Sequence, residues 1–260
     1  MQEKPTYNSK TDTKNLTAII IYISVLFVGG SIFTYMFAYL FSLIFNEDYK
    51  LIIDSIVASD LSIYSENVIK AHSLSQGCAN LLGYILSFIG IAIVYRKELI
   101  IDFTSIKEKK KFYLYYILIA AVAFVGISYL IDLIFSNIVS SSANQSTIET
   151  ILKYGGAIPM IIATILFAPI VEELIYRKCI FSACKNKGVV FSYVISIIAF
   201  TLPHMLSTSS DVLTWLVQCI PYALCGGLLC LIYHKSNYNV YPVIIAHMLN
   251  NILAVILVFI

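Results

Sequence analysis

Residues 157–177 read AIPMIIATILFAPIVEELIYR. From Ala157 to Val171 the run is apolar apart from Thr164, and it resumes after the charges as far as Phe181. A helix of roughly 20 apolar residues crosses a bilayer, so this stretch predicts a membrane span. At its end Glu172 and Glu173 stand side by side. Carboxylates at membrane depth are costly and mark functional sites far more often than ornament.

The composition agrees. Of 260 residues, 59% are hydrophobic and only 12% charged, with a net charge of +2 and a mean hydropathy of +0.85. Soluble domains carry about twice that share of charge, so the expected class is a membrane protein. The small net charge argues against a nucleic-acid partner. Six cysteines (Cys78, Cys179, Cys184, Cys219, Cys225, Cys230) form no CxxC pair and lie mostly in apolar runs. They read as small apolar residues, not as a disulfide framework or a zinc site.

Seven apolar stretches have spanning length, near 16–45, 74–95, 112–136, 157–181, 189–206, 212–233 and 239–260. The first is about twice the length of a signal-peptide core and has no small-residue cleavage site behind it, so it is expected to be a retained helix. Gly29-Gly30 within it predict a tilt, kink or break. Residues 46–73 space acidic residues among apolar ones, which predicts an outer amphipathic helix. Residues 96–111 end in Lys107-Glu-Lys-Lys-Lys111 and predict a solvated loop against the anionic inner leaflet. With a cytoplasmic N-terminus, 14 of the 17 Lys and Arg residues fall inside, leaving Lys50, Lys70 and Lys153 outside. That asymmetry sets the expected orientation. Trp215 and several tyrosines fall near segment ends, as an interfacial belt would. The expected fold is an all-α polytopic membrane helix bundle of about seven transmembrane helices with kinked C-terminal core helices. Residues 1–150 would supply N-terminal membrane helices and 151–260 the catalytic core, all within one bundle.

Three polar features concentrate in the last hundred residues. Glu173 and Arg177 are four apart with the carboxylate N-terminal, the favourable order for a helical ion pair. Glu172 points about 100° away around the helix, which leaves it in need of a partner from elsewhere. His204 closes Phe200-Thr-Leu-Pro-His204, four residues from Phe200 and directly after Pro203. His247 and Asn251 are again four apart, on the last segment. Each feature has an ordinary reading: charges at a helix end, an interfacial histidine, a polar pair gluing helices. Together they crowd three of the last four helices. A rise of 1.5 Å per residue puts Glu172 roughly 18 Å, His247 roughly 12 Å and His204 roughly 24 Å from the cytoplasmic ends as drawn. Their convergence therefore requires tilt, a kink at Pro203 or shifted boundaries.

A carboxylate, two imidazoles and an amide suit peptide hydrolysis by an activated water. Glu172 is the candidate general base, with His204 orienting the water or sharing its proton. His247 and Asn251 are candidates to stabilise the oxyanion. Alternatively, Glu172, His204 and His247 are a candidate ligand set for Zn²⁺, which would acidify a bound water. No serine or cysteine has a base at comparable spacing. A transporter would also use intramembrane Glu and His, but repeat-related halves are expected there, and the polar residues here occupy only the C-terminal part.

Glu172-Glu173-x-x-x-Arg177, Phe200-x-x-x-His204 and His247-x-x-x-Asn251 resemble, in order, the three motifs of the CAAX protease and bacteriocin-processing family of intramembrane endopeptidases. The resemblance covers residues 157–260. It implies that Glu172 and His204 activate water, that His247 and Asn251 form the oxyanion site, that Glu173 supports it, and that Arg177 holds the carboxylates in place. It implies a glutamate-dependent protease needing no metal, although the family often carries the metalloprotease label. The implied partners are a membrane-associated peptide or protein substrate, the lipid bilayer and a membrane signalling partner. The alternative it implies is a non-catalytic regulator or bacteriocin self-immunity protein of the same fold. Abundant Ile, Lys, Asn and Tyr point to an AT-rich bacterial source, a location in the cell membrane, and a short peptide precursor in preference to a prenylated substrate.

Overall fold

The computed structural model describes residues 9–58, 60–135, 142–206 and 211–259. Lys4 and the expected span ends at 136 and 260 lie outside them. Among the described residues there are nine helices and no strands. Helix α1 (9–45) is continuous but changes register: a π-helical stretch, Ser24–Gly29, separates Ser9–Ile23 from Gly30–Phe45. The irregularity expected from Gly29-Gly30 thus takes the form of a widened turn that closes at the glycine pair. Asn46 ends the helix in the left-handed region at φ 51°, which asparagine tolerates better than most residues.

The outer connection is shorter than expected. Helix α2 (Tyr49–Val57) is capped by the Asp48 side chain, which accepts from the Lys50 amide. From Glu66 onward the connection already belongs to α3 (Glu66–Glu108), a helix of 43 residues. Such a helix is roughly 65 Å long, twice the ~30 Å hydrocarbon core of a bilayer.

The solvated loop expected over 96–111 is therefore corrected to a helical extension ending at Glu108 with Lys109 as its cap, followed at once by α4 (Lys110–Phe135). Its partners explain why it stays helical. Buried Asp102 accepts from Lys178 Nζ at 2.6 Å and from the Val240 amide at 3.0 Å. The Asp102 carbonyl accepts from Asn239 Nδ2 at 2.7 Å, and Glu98 pairs with Lys14. Four helices are tied together by residues that, taken in sequence, look merely charged.

Helix α5 (Ala143–Lys153) was not expected; Ser142 caps it by accepting from the Gln145 amide. Helix α6 (157–187) carries two π-helical stretches, Ala163–Phe167 and Leu174–Phe181, around the α-helical Ala168–Glu173. Helices α7 (Val189–Met205), α8 (Val212–Lys235) and α9 (Val240–Val258) complete the chain, with Pro203 inside α7 and Pro221 inside α8. Asp211 caps α8, and its hydrogen bonds with Thr214 hold its carboxyl below the usual range.

Six helices are long and apolar enough to cross a membrane, and α7 is a shorter apolar helix of 17 residues. The chain is a polytopic helical membrane bundle. Half of the best α6 window is buried, against 11–33% in the other five, so α6 is the central helix. Its Val171, Leu174, Ile175, Tyr176, Cys179 and Phe181 join one apolar core with residues of α1, α3, α4, α7, α8 and α9. The outer faces carry exposed Val122, Leu118, Val190 and Ile93, as a lipid-solvated surface should.

One crossing is unusually close. A Cβ at Gly156 would lie 2.2 Å from the Ser73 carbonyl oxygen, and one at Gly77 would lie 2.8 Å from the Gly156 oxygen. Both obstacles are backbone, which cannot swing aside. Gly156→Ala is expected to force α3 from the start of α6 at a cost of about 1–3 kcal/mol or more, read as a lowered unfolding midpoint in detergent. An unchanged midpoint would show that the crossing relaxes.

Candidate active site

The central helix presents both glutamates to the interior. Glu173 is fully buried and Glu172 is 4% exposed. Glu173 Oε1 accepts from Arg177 Nη1 at 3.1 Å and pairs with His247 Nδ1 at 2.8 Å. The carboxylate can only accept, so Nδ1 carries the proton, and Nε2 is the nitrogen left for other partners. The helical ion pair expected for Glu173 and Arg177 is present, with a histidine from α9 added to it.

Arg177 is fully buried and extends the network. Its Nη2 donates to the Gly226 carbonyl at 3.0 Å, and its guanidinium carbon sits 4.8 Å from the Phe200 ring centroid, a cation–π arrangement. Gly226 suits this place because a Cβ there would come within 3.1 Å of Phe200 Cδ1. Phe200 also meets Tyr176, His204 and His247 ring to ring, at 5.4, 4.8 and 5.8 Å. It is the packing hub between both histidines and the arginine.

Glu172 has a different partner from the one expected. No hydrogen bond joins it to either histidine among the described residues. Its Oε1 accepts from the Tyr84 hydroxyl at 2.9 Å, reaching it from α3. His204 pairs through Nδ1 with the Phe200 carbonyl at 2.7 Å. That oxygen can only accept, so Nδ1 donates and Nε2 is left for other partners. The His204 ring also lies against Tyr222, 4.8 Å between centroids and 31° between planes. Tyr222 in turn hydrogen-bonds Ser142 at 2.7 Å, at the start of α5. Asn251 donates through Nδ2 to the Thr164 carbonyl at 2.8 Å, and Asn250 Nδ2 reaches its Oδ1 at 3.3 Å.

One cavity of about 660 Å³ is lined by Glu172, His204, His247 and Asn251, together with Tyr84 and Tyr222. This is the size of a ligand site. The mismatch in depth implied by straight helices is thus absent from the folded chain. The π stretches flank Ala168–Glu173, each inserting a residue into the helical repeat, and Pro203 lies just before His204. Glu173 and Arg177 stay behind the cavity wall. No group of three or more His, Cys, Asp or Glu among the described residues is arranged to hold a metal. Glu172, His204 and His247 share the cavity but are each turned to separate partners, which does not fit the Zn²⁺ ligand set.

Sequence reading missed Tyr84 and Tyr222. Both sit in apolar helices among 19 tyrosines, and nothing local sets them apart; only their contacts do.

Residues 154–253 match the family described as Rce1-like, Type II CAAX prenyl endopeptidase. All three motifs lie inside that match, which covers the C-terminal region of the chain. The chain also resembles an uncharacterized protein of Mycoplasma capricolum subsp. capricolum, 29% identical over 111 residues. That alignment covers 43% of this chain and 31% of the relative, so the chain spans about a third of the relative's length. No solved structure matches the chain.

Proposed function

We propose that this chain is an intramembrane endopeptidase that cleaves a membrane-associated peptide or protein with a water activated by Glu172. The observation that carries the reading is the single cavity lined by Glu172, His204, His247 and Asn251, each with hydrogen-bonding capacity left over. Glu172 Oε2 has no hydrogen-bond partner among the described residues, His204 keeps Nε2, His247 keeps Nε2, and Asn251 keeps one amide N–H.

In this reading a water sits between Glu172 and His204 Nε2. Glu172 takes one proton as the water oxygen bonds to the scissile carbonyl carbon, and the carbonyl electron pair moves onto its oxygen. His247, as an imidazolium balanced by Glu173, and the free Asn251 N–H donate to that oxyanion. The tetrahedral intermediate re-forms the carbonyl, breaks the C–N bond, and the proton held by Glu172 passes to the departing nitrogen. Glu173 and Arg177 do not touch substrate; they hold His247 through Nδ1 and set its aim. The mixed lining suits an apolar peptide whose backbone is read by amides.

The test uses the purified full chain in lipid nanodiscs with two internally quenched peptides, one farnesylated at a C-terminal cysteine motif and one non-prenylated and apolar. Cleavage at a defined bond is expected by mass spectrometry, unchanged by EDTA or 1,10-phenanthroline. Asn251→Ala is expected to lower kcat about 10²-fold, the cost of losing one oxyanion donor. Cleavage of neither peptide, or cleavage at full rate in the variant, would overturn the reading.

A further inference from the structure

Tyr84 lies outside the stretch that matches the protease family, yet among the described residues it makes the one hydrogen bond to the Glu172 carboxyl. It lines the same cavity as Glu172 and comes from the long helix α3, whose Gly83 is buried beside it. Close behind, Tyr176 on α6 shares a 2.5 Å hydrogen bond with Tyr22 of α1, and their rings meet edge to face at 5.9 Å. The N-terminal helices therefore form the wall against which the Glu172 side chain is set.

We propose that Tyr84 is a positioning residue for the reaction: its hydroxyl holds Glu172 Oε1 so that Oε2 is the oxygen offered to water in the cavity. This rests on the reading of Glu172 as the base. Physically, a glutamate has three side-chain torsions, and a base must stay within hydrogen-bond reach of the proton it abstracts. A donor on one oxygen removes the rotamer freedom that would swing the other away. The rest of the constellation is fixed in the same manner, with His204 held through Nδ1, His247 through Nδ1 and Asn251 through Nδ2. In each case one atom is tied to the scaffold and another is left for chemistry. The fold then has no self-sufficient catalytic half: residues before 150 complete the site.

The experiment compares Tyr84→Phe with Tyr115→Phe, an exposed tyrosine on α4, in the full chain in nanodiscs with the same two peptides. Tyr84→Phe is expected to lower kcat about tenfold with KM unchanged and with the unfolding midpoint close to the parent, while Tyr115→Phe changes neither constant. A second readout does not depend on turnover: the infrared difference spectrum of parent minus Glu172→Gln isolates the Glu172 carboxyl bands. These are expected to move when the difference is taken in the Tyr84→Phe background. Unchanged bands in a folded variant, or unchanged kcat while Glu172→Gln is inactive, would overturn the role of Tyr84 alone. Full activity in Glu172→Gln would instead overturn the base assignment, and the bands would still decide whether Tyr84 holds the carboxyl.

Discussion

Glu172→Gln is expected to lower the cleavage rate by about 10²–10⁴, the usual worth of a positioned general base, while leaving the fold intact. The two halves of that expectation have separate grounds. Glutamine keeps the side chain's shape and an oxygen, so the Tyr84 hydroxyl at 2.9 Å still has an acceptor. What glutamine lacks is any capacity to take a proton from water. Because Glu172 has no ion-pair partner among the described residues, unlike Glu173 with Arg177 and His247, its loss strands no buried charge. The measurement is kcat on a cleavable peptide beside the unfolding midpoint of the same preparation. A rate within threefold of the parent would sink the assignment, and a collapsed midpoint would show that Glu172 is structural. Glu172→Ala is the informative companion, because it also leaves the Tyr84 hydroxyl without its acceptor and is expected to cost stability that Glu172→Gln does not.

The membrane bundle was legible because its signal is long and additive: spans of twenty apolar residues average over local accident. The site was legible in its residue types for a related reason, since Glu, His and Asn are costly in lipid wherever they stand. The wiring was not. Helical spacing assigns Glu173 to Arg177 and leaves Glu172 over, and both statements hold in the folded chain. Spacing cannot say that His247 completes the Glu173 pair, or that a tyrosine and not a histidine reaches Glu172, because those choices depend on which helices are neighbours. Residues 96–108 failed for a different reason. Their charges resemble a loop until Asp102 is seen to anchor Lys178 and the start of α9; an ion pair across helices leaves no periodic trace in either one. The π stretches of α6 were equally silent, since a single inserted residue does not alter apolar composition.

Arg177→Ala is expected to destabilise the fold by about 3–5 kcal/mol, the cost of stripping one partner from a buried charge pair. The guanidinium is wholly enclosed, so no water can replace it at Glu173 Oε1, at the Gly226 carbonyl or against the Phe200 ring. Loss of the cation leaves the carboxylate facing His247 alone and removes the side-chain donor from the Gly226 carbonyl, and the effect is expected as a steep fall in the detergent unfolding midpoint. The charges need not be there for stability itself, since apolar replacements of a whole buried pair are often neutral or better. The double variant Glu173→Leu with Arg177→Met separates the two purposes. It removes both charges, keeps the volume filled, and is expected to recover most of the stability that Arg177→Ala loses. It also frees His247 Nδ1 from the carboxylate that balances its charge and sets its aim, so cleavage is expected to stay at least tenfold below the parent. A double variant that is both stable and fully active would show that the buried ion pair serves the fold and not His247. A stable, impaired one would show that the bundle carries two enclosed charges in order to hold an imidazole at the cavity wall.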